Sequence, residues 1–479
     1  MHFRYQEIAS QIRHKILTGE LSPHCKLPSL RSFAKQQQIS LSTAQACYEL
    51  LEAQGHVYVK AKSGFFVQAP HISLKTTHTD YIDFPSISRE ISSLDLHNQI
   101  QDASSQAQMI HLGAIQLGSP LIPIEALRRS IQRSLKHSRP EDFLYCDRQG
   151  HPRLRQALVD HWSEDAIHIA YDDIFITNGC MAALMLIIQS LTQIGDSIIL
   201  PTPTFNGQLQ LLANLNRKVI EIPAHHQGID LERLEQVLKT GQAKACLLTA
   251  NYQNPLGYCL THQEKAQIAA LAEKYQCFMI EDDIYGECGY ELQRPLPIKH
   301  WDQAGYVIWV GSVSKSLSSA YRVGWLCLPK VLQHLRSQLL AHNIIVNTPL
   351  QLGLADFIFS GGYRRHLNQL HPKLWSQVQD YVQCITEIFA KLSVELQIPQ
   401  GGYALWLKLP QNLSGFELYQ FALSQSISIV PGNIFGEDNK YHHYIRINAG
   451  HPLTVQVRTA LQQLATWINQ QTGLALSVC

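Results

Sequence analysis

Across residues 5–18, YQEIASQIRHKILT, the apolar positions Ile8, Ile12, Ile16 and Leu17 recur at helical spacing and Gly19 supplies a stop, which predicts a first helix. A second, short helix is predicted over 29–36. Pro28 precedes it, Ser29 offers an N-cap oxygen, and Leu30, Phe33 and Ala34 make its apolar face. Ser40 can cap a third helix that runs to about Gln54 and ends at Gly55, with Ala44, Cys47, Tyr48 and Leu51 inward. Ser42, Thr43, Gln45 and Ala46 fall at its exposed leading end. The period then changes. Two β-rich runs, Val57 to Val59 and Phe65 to Val67, flank a Lys/Ser/Gly tip and predict a hairpin.

Three helices and a basic hairpin predict a winged helix over 1–69. From about Pro70 to Ala107 the pattern dissolves into Ser, Thr, His, Asp and Gln, with a weak helical signal near Ile91 to Ile100, so 70–107 is expected to be a linker. A flexible chain of that length has an r.m.s. span of roughly 30–35 Å, enough for the N-terminal module to reach a partner subunit. Over 108–479 the runs IFIT, SIIL, KVIEI, ACLLT, CFMIED and YVIWVGS alternate with helical stretches, which predicts the α/β class with a mostly parallel sheet covered by helices on both faces.

Composition agrees with folded domains. Apolar residues make up 45% and charged residues 16% of 479, which excludes wholesale disorder. The longest uncharged apolar stretch, Met181 to Leu191, is broken by Gln189 and Ser190, too short for a membrane span. The N-terminus lacks the apolar core of a secretory signal, so a cytoplasmic protein is expected. Eleven cysteines without a CxxC pair suggest neither a zinc site nor a disulfide framework, and His225, His226, His371, His442 and His443 read as solvated residues, so no metal is expected. Residues 1–69 carry eight Lys/Arg against four Asp/Glu, whereas the remainder is slightly acidic. That asymmetry gives the N-terminal module a footprint for double-stranded DNA. Ser42, Thr43 and Gln45 are types that hydrogen-bond bases, Arg31 and Lys35 suit phosphates, and Lys60 and Lys62 sit on the wing. A solvated polar face is the alternative reading of the same residues.

In the large segment Ser312, Ser314 and Lys315 directly follow the strand YVIWVG, and Arg322 comes seven residues later. A lysine that sheds its proton forms a Schiff base with an aldehyde, while hydroxyls and a guanidinium hold a phosphate, a combination suited to pyridoxal 5'-phosphate. Upstream, CFMI runs into Asp282, Asp283 and Tyr285, a carboxylate for a pyridinium nitrogen and a phenol for a ring hydroxyl. Thr177 to Leu184, TNGCMAAL, joins a strand to a helix through Asn-Gly and presents backbone N–H groups to an anion. Such loops gather at the carboxyl ends of strands in open α/β sheets.

The order of residues adds a resemblance at each end. Residues 5–67, with KLPS, S.ST....Y..L...G and the K.G.FV wing, resemble the GntR-type winged helix-turn-helix, departing where Pro23, His24 and Cys25 precede Lys26. Residues from about Ile110 to Gly450 resemble the fold-type-I aminotransferases through YCDRQGHPRLRQAL, TNGCMAAL, PTPTF, NYQNPLG, EDDIYGE, SVSK.......RVGW, GGYALWL, PGNIF and YIRINAG. This second resemblance implies a smaller C-terminal α/β subdomain from about 345. It implies Lys315 as the Schiff-base lysine, Asp282 at the pyridine nitrogen with Asp283 as fallback, Tyr285 and Asn254 at the ring hydroxyl, and Phe205 stacked on the ring. It further implies Gly179, Cys180, Ser312, Ser314 and Arg322 at the phosphate, Tyr145 reaching it from a partner subunit, and Arg446 on the carboxylate of an amino ligand. The fusion resembles the MocR subfamily of bacterial regulators. That implies a pyridoxal phosphate-dependent DNA-binding regulator, with an amino acid or amine as candidate effector, built as a head-to-tail homodimer with each head near the other subunit's large domain. The alternative is an active aminotransferase carrying a DNA-binding head.

Overall fold

The computed structural model describes residues 4–17, 21, 25–54, 56–60, 64–67, 81–91, 100, 109–342 and 346–473. Lys62, the helix stops Gly19 and Gly55, and most of the expected linker 70–107 lie outside the described residues.

The head is built from α1 (Arg4–Leu17), α2 (Leu30–Gln37) and α3 (Leu41–Ala53), followed by β1 (Val57–Lys60) paired antiparallel with β2 (Gly64–Val67). Ser29 accepts from the Ser32 N–H at 3.2 Å and Ser40 from the Thr43 N–H at 3.1 Å, so both expected caps form. Ile8, Phe33, Ala44, Tyr48, Leu51, Val57 and Val67 close the small core, with Phe33 stacked on Tyr48 at 4.7 Å. Because Ser40 caps the helix that leads with Ser42 and Thr43, Ser40→Ala is expected to cost about 1 kcal/mol of head stability, read by denaturant unfolding.

The large sheet contains β3 (Ser88–Arg89), β5 (Ile174–Thr177), β6 (Ser197–Thr202), β7 (Lys218–His225), β8 (Gly228–Ile229), β9 (Ala243–Leu248), β10 (Phe278–Asp282), β11 (Val307–Ser312) and β12 (Gly324–Cys327). β4 (Ile110–His111) lies apart, parallel to β15 (Ile427–Ser428). The order is β3-β7-β6-β9-β10-β11-β12-β5, with β8 on β7; β7, β6, β9, β10 and β11 run parallel, and β12 is antiparallel to both neighbours. Strands β5, β6, β11 and β12 are buried along their whole length, which is why their sequences read as continuous apolar runs instead of alternating ones. Two apolar layers face the sheet from opposite sides: along β10, Met279 joins one and Ile280 the other.

A four-stranded antiparallel sheet, β13 (Glu395–Gln397), β14 (Ala404–Lys408), β17 (Tyr444–Asn448) and β16 (Val430–Pro431), forms the C-terminal layer and carries Arg446 opposite Trp406. Beside it runs the helix Gly362–Phe389, whose Trp375 donates from Nε1 to the Gln54 carbonyl of the head. The His56 and Tyr290 rings lie 5.9 and 4.9 Å from Trp375, and Arg13 of α1 pairs with Glu291. Through these contacts the head packs against the large domain of its own chain. No helix among the described residues is long and apolar enough to cross a membrane.

Candidate pyridoxal phosphate site

The carboxyl ends of β5, β10 and β11 meet at one cleft. β5 ends in Thr177, and the turn through Asn178 and Gly179 (φ +83°) leads into the helix Cys180–Leu191, leaving its first N–H groups without helical partners. Arg322 crosses this turn and donates from Nη2 to the Asn178 carbonyl at 3.0 Å. A Cβ at Gly179 would stand 2.9 Å from that guanidinium, so glycine is what lets the arginine close on the helix start. Gly324 opens β12 equally near, since a Cβ there would meet the Gly179 backbone at 2.6 Å. At the end of β11, Ser312 Oγ donates to the Val323 carbonyl at 2.8 Å and lies 2.7 Å from Ser314 Oγ. Hydroxyls, guanidinium and helix start thus converge, a donor set that fits a phosphate.

Lys315 follows at once. Its Nζ donates to the Ile115 carbonyl at 2.6 Å, and burial, reinforced by the Arg446 guanidinium, pulls the amine down to about 8. Lys315, Arg446, Phe205, Asn206 and Val430 line a cleft of about 510 Å³ together with Gly113 to Gln116. Arg446 donates from Nη1 to Asn254 Oδ1 at 3.3 Å and from Nη2 to the Gly113 carbonyl at 2.5 Å. Burial lowers this guanidinium to about 10, and its buried Nε has no partner among the described residues. The Asn254 amide then donates to the Tyr285 hydroxyl at 3.5 Å, and burial raises that phenol.

The adjacent acids separate cleanly. Successive side chains of a strand point to opposite faces. Asp282 accepts from Cys180 Sγ and Gln208 Nε2, both at 3.0 Å, and burial raises its carboxyl. Asp283 on the other face is bound by Asn251 Nδ2 at 2.8 Å, Trp309 Nε1 at 2.9 Å and the Arg294 guanidinium. Asp283 is therefore consumed by the protein's own donors.

Lys315, Asp282, Tyr285, Asn254, Arg446, Ser312, Ser314, Arg322, Gly179, Cys180 and Phe205 lie around this region, but Cys180 differs from expectation in detail. Its thiol donates to Asp282 and is not free for the expected phosphate contact. Tyr145 is 90% exposed, beside the exposed Phe143 and Leu144, on the surface of its own chain. On the head, Arg31, Ser42, Gln45 and Lys60 are exposed and Thr43 half-buried, all on α2, α3 and the wing, and Gln45 is tied to Glu49 at 2.8 Å.

Gln208 was not foreseen. Its signal was one of two amides, with Asn206, in the first turn of the helix Asn206–Asn214, three residues after Phe205, and nothing in the spacing distinguishes it from a surface glutamine. His371, expected in solvent, is buried and bonded to the Glu287 carbonyl at 3.0 Å. Among the described residues, the one grouping with metal-ligand proximity is His161, Asp165 and Glu287. Arg364 binds Asp165 at 2.9 Å and Arg294 binds Glu287 at 3.1 Å, so these carboxylates already have cations.

Comparison with known proteins matches residues 108–464 to the aminotransferase class I and II family and 4–67 to the bacterial regulatory proteins of the gntR family. The fold resembles solved aminotransferases: the Pyrococcus horikoshii kynurenine aminotransferase (TM-score 0.71, 23% identity, 80% of this chain and 96% of that one) and an archaeal alanine:glyoxylate aminotransferase (TM-score 0.73, 23% identity, 79% and 96%). Fold and site together define a GntR-type winged head on an aminotransferase-like body. Over nearly the whole chain it is similar to the HTH-type transcriptional regulator YdcR of Escherichia coli, 32% identical over 98% of this chain and 99% of that protein. It is also similar to NorG of Staphylococcus aureus, 26% identical over 93% and 100%. The chain belongs to the MocR subfamily of GntR-type regulators.

Proposed function

We propose that this chain is a transcriptional regulator that binds double-stranded DNA through its head and pyridoxal 5'-phosphate, with an amino acid or amine ligand, in its large domain. When bound, pyridoxal phosphate supplies an aldehyde for an amine and a ring that withdraws electrons. The residues present fit it. Lys315 would provide the amine, and its lowered proton affinity leaves much of it neutral near pH 8. Asp282 would pair with the ring nitrogen, Tyr285 and Asn254 with the ring hydroxyl, and Phe205 would lie beside the ring. Ser312, Ser314, Arg322 and the backbone of Gly179 and Cys180 would hold the phosphate, with Tyr145 coming from a second copy in a homodimer. The buried, unpartnered Nε of Arg446 is the donor that a ligand carboxylate would satisfy.

One observation carries the regulatory reading over plain catalysis. The stretch from Asp283 to Arg294 begins beside Asp282 and is clamped at both ends by the Asp283–Arg294 ion pair, and between them it bears Tyr290 and Glu291, which seat the head. A ligand that favours one position of this stretch therefore favours one placement of the head, and only its differential affinity for the two counts.

The test is a spectral titration with B6 vitamers and amino acids beside a binding assay on the protein's own upstream DNA. Coloured protein whose DNA affinity shifts on adding an amino compound is expected. A spectral change with DNA binding untouched, accompanied by turnover of amino and keto acids, would overturn the regulatory reading in favour of the aminotransferase. Arg31→Ala and Lys60→Ala are each expected to reduce the slope of log affinity against log salt by about 0.9, the signature of one lost phosphate contact.

A further inference from the structure

Asp282 is 4% exposed, and among the described residues no cation hydrogen-bonds it. Burial alone favours its protonated form, which cannot serve as the negative partner of a protonated ring nitrogen. Three donors oppose that tendency: the Cys180 thiol and the Gln208 amide at 3.0 Å, and the Ile284 N–H at 3.3 Å. The thiol is itself buried and held well above its ordinary range, so it stays protonated and donates.

Cys180 and Gln208 lie equally close, but an amide N–H is a better donor than a thiol, which makes Gln208 the stronger of the two. It is 1% exposed, and the Thr204 hydroxyl donates to its Oε1 at 2.8 Å. That contact fixes which way the amide faces: the oxygen looks to Thr204, so the NH₂ looks to the acceptor-only carboxylate. Thr204 is anchored in turn, its N–H bonded to the Phe435 carbonyl at 2.9 Å. A side-chain chain, Thr204 to Gln208 to Asp282, thus runs from the 3-10 turn Gly432–Phe435 to the cleft.

Resting on the pyridoxal phosphate reading, we infer that Gln208, oriented by Thr204 and assisted by Cys180, is the positioning residue that keeps Asp282 ionised and aimed at the ring nitrogen of the bound group. It touches neither aldehyde nor phosphate, so it acts only through Asp282.

The experiment uses the full chain and two probes, pyridoxal 5'-phosphate and pyridoxine 5'-phosphate, whose alcohol cannot react with Lys315 and so reports ring and phosphate contacts alone. Removing a hydrogen bond to a charged group weakens binding by about tenfold or more. Gln208→Leu is expected to raise Kd for both probes by that factor and to move the pH midpoint of the bound group's absorption downward, because a carboxyl that protonates more easily no longer holds the ring proton. Thr204→Val should shift both in the same direction by less. Cys180→Ala should weaken binding, and Cys180→Ser should restore it by returning a hydroxyl donor.

If the unaltered protein binds neither probe, the cofactor reading itself fails. If it binds both, while Gln208→Leu and Thr204→Val leave Kd and midpoint unmoved, Gln208 is packing only and the inference is overturned. Should Gln208→Leu not fold, Thr204→Val and the Cys180 pair decide between the same two results.

Discussion

Lys315→Ala is expected to eliminate the visible absorption of protein incubated with pyridoxal phosphate and to abolish any response of DNA binding to amino compounds. Basal DNA affinity should be retained, because the head's caps and core do not involve the cleft. In the unaltered protein the amine sits at about 8, so its neutral fraction falls tenfold for each pH unit below that value. The rate of cofactor capture should rise with pH and level off above about 8, a profile stopped-flow absorbance would record. Arg446 contributes to this lowering, so Arg446→Met should move the inflection upward towards the ordinary lysine range. Unchanged ligand-dependent DNA binding in Lys315→Ala would sink the effector model.

Arg294→Met carries the largest expected loss of stability. Arg294 is buried between Asp283 and Glu287, and Trp309 and Asn251 complete the shell around Asp283. Removing the guanidinium leaves Asp283 with only neutral donors and Glu287 with His161, and breaking a buried pair in this way typically costs about 3–5 kcal/mol. Urea unfolding monitored by tryptophan fluorescence measures it. Adding Asp283→Asn and Glu287→Gln to Arg294→Met should recover part of the loss, since amides do not need the cation. A loss below about 1 kcal/mol would mean that water reaches these groups.

Much of this organisation was legible in the chain for identifiable reasons. All six apolar runs picked from the sequence fall on strands, because a parallel sheet covered on both faces buries every residue and leaves uninterrupted Val, Ile and Leu. The head was legible because caps at Ser29 and Ser40 and a period change at Val57 are local signals. β12 was not singled out as a strand: four residues, one of them Gly324 pressed against Gly179, carry no periodicity. The expectation for Cys180 missed its side chain, because the partner of a thiol a hundred residues away is set by sheet order and not by spacing. Gln208 was invisible for the same reason, and the seat of the head on Trp375 and Glu291 depends on surfaces that neither segment reveals alone. Choosing between Asp282 and Asp283 required the register of β10 and the partners of each acid, which leave Asp283 engaged by Arg294 and Asp282 with neutral donors only.

That register has a bearing on how this gene product can vary. Substitutions of similar volume at Met279 or Ile280 should be absorbed by their respective layers, but adding or deleting a single residue within β10 would trade the two acids' surroundings at one stroke. The cleft would receive the carboxylate that had lost Arg294, and the side lined by Trp309 and Arg294 would receive the one shaped to the Cys180 and Gln208 donors. Length polymorphism in this strand is therefore expected to be lethal to the fold, even where side-chain drift is tolerated.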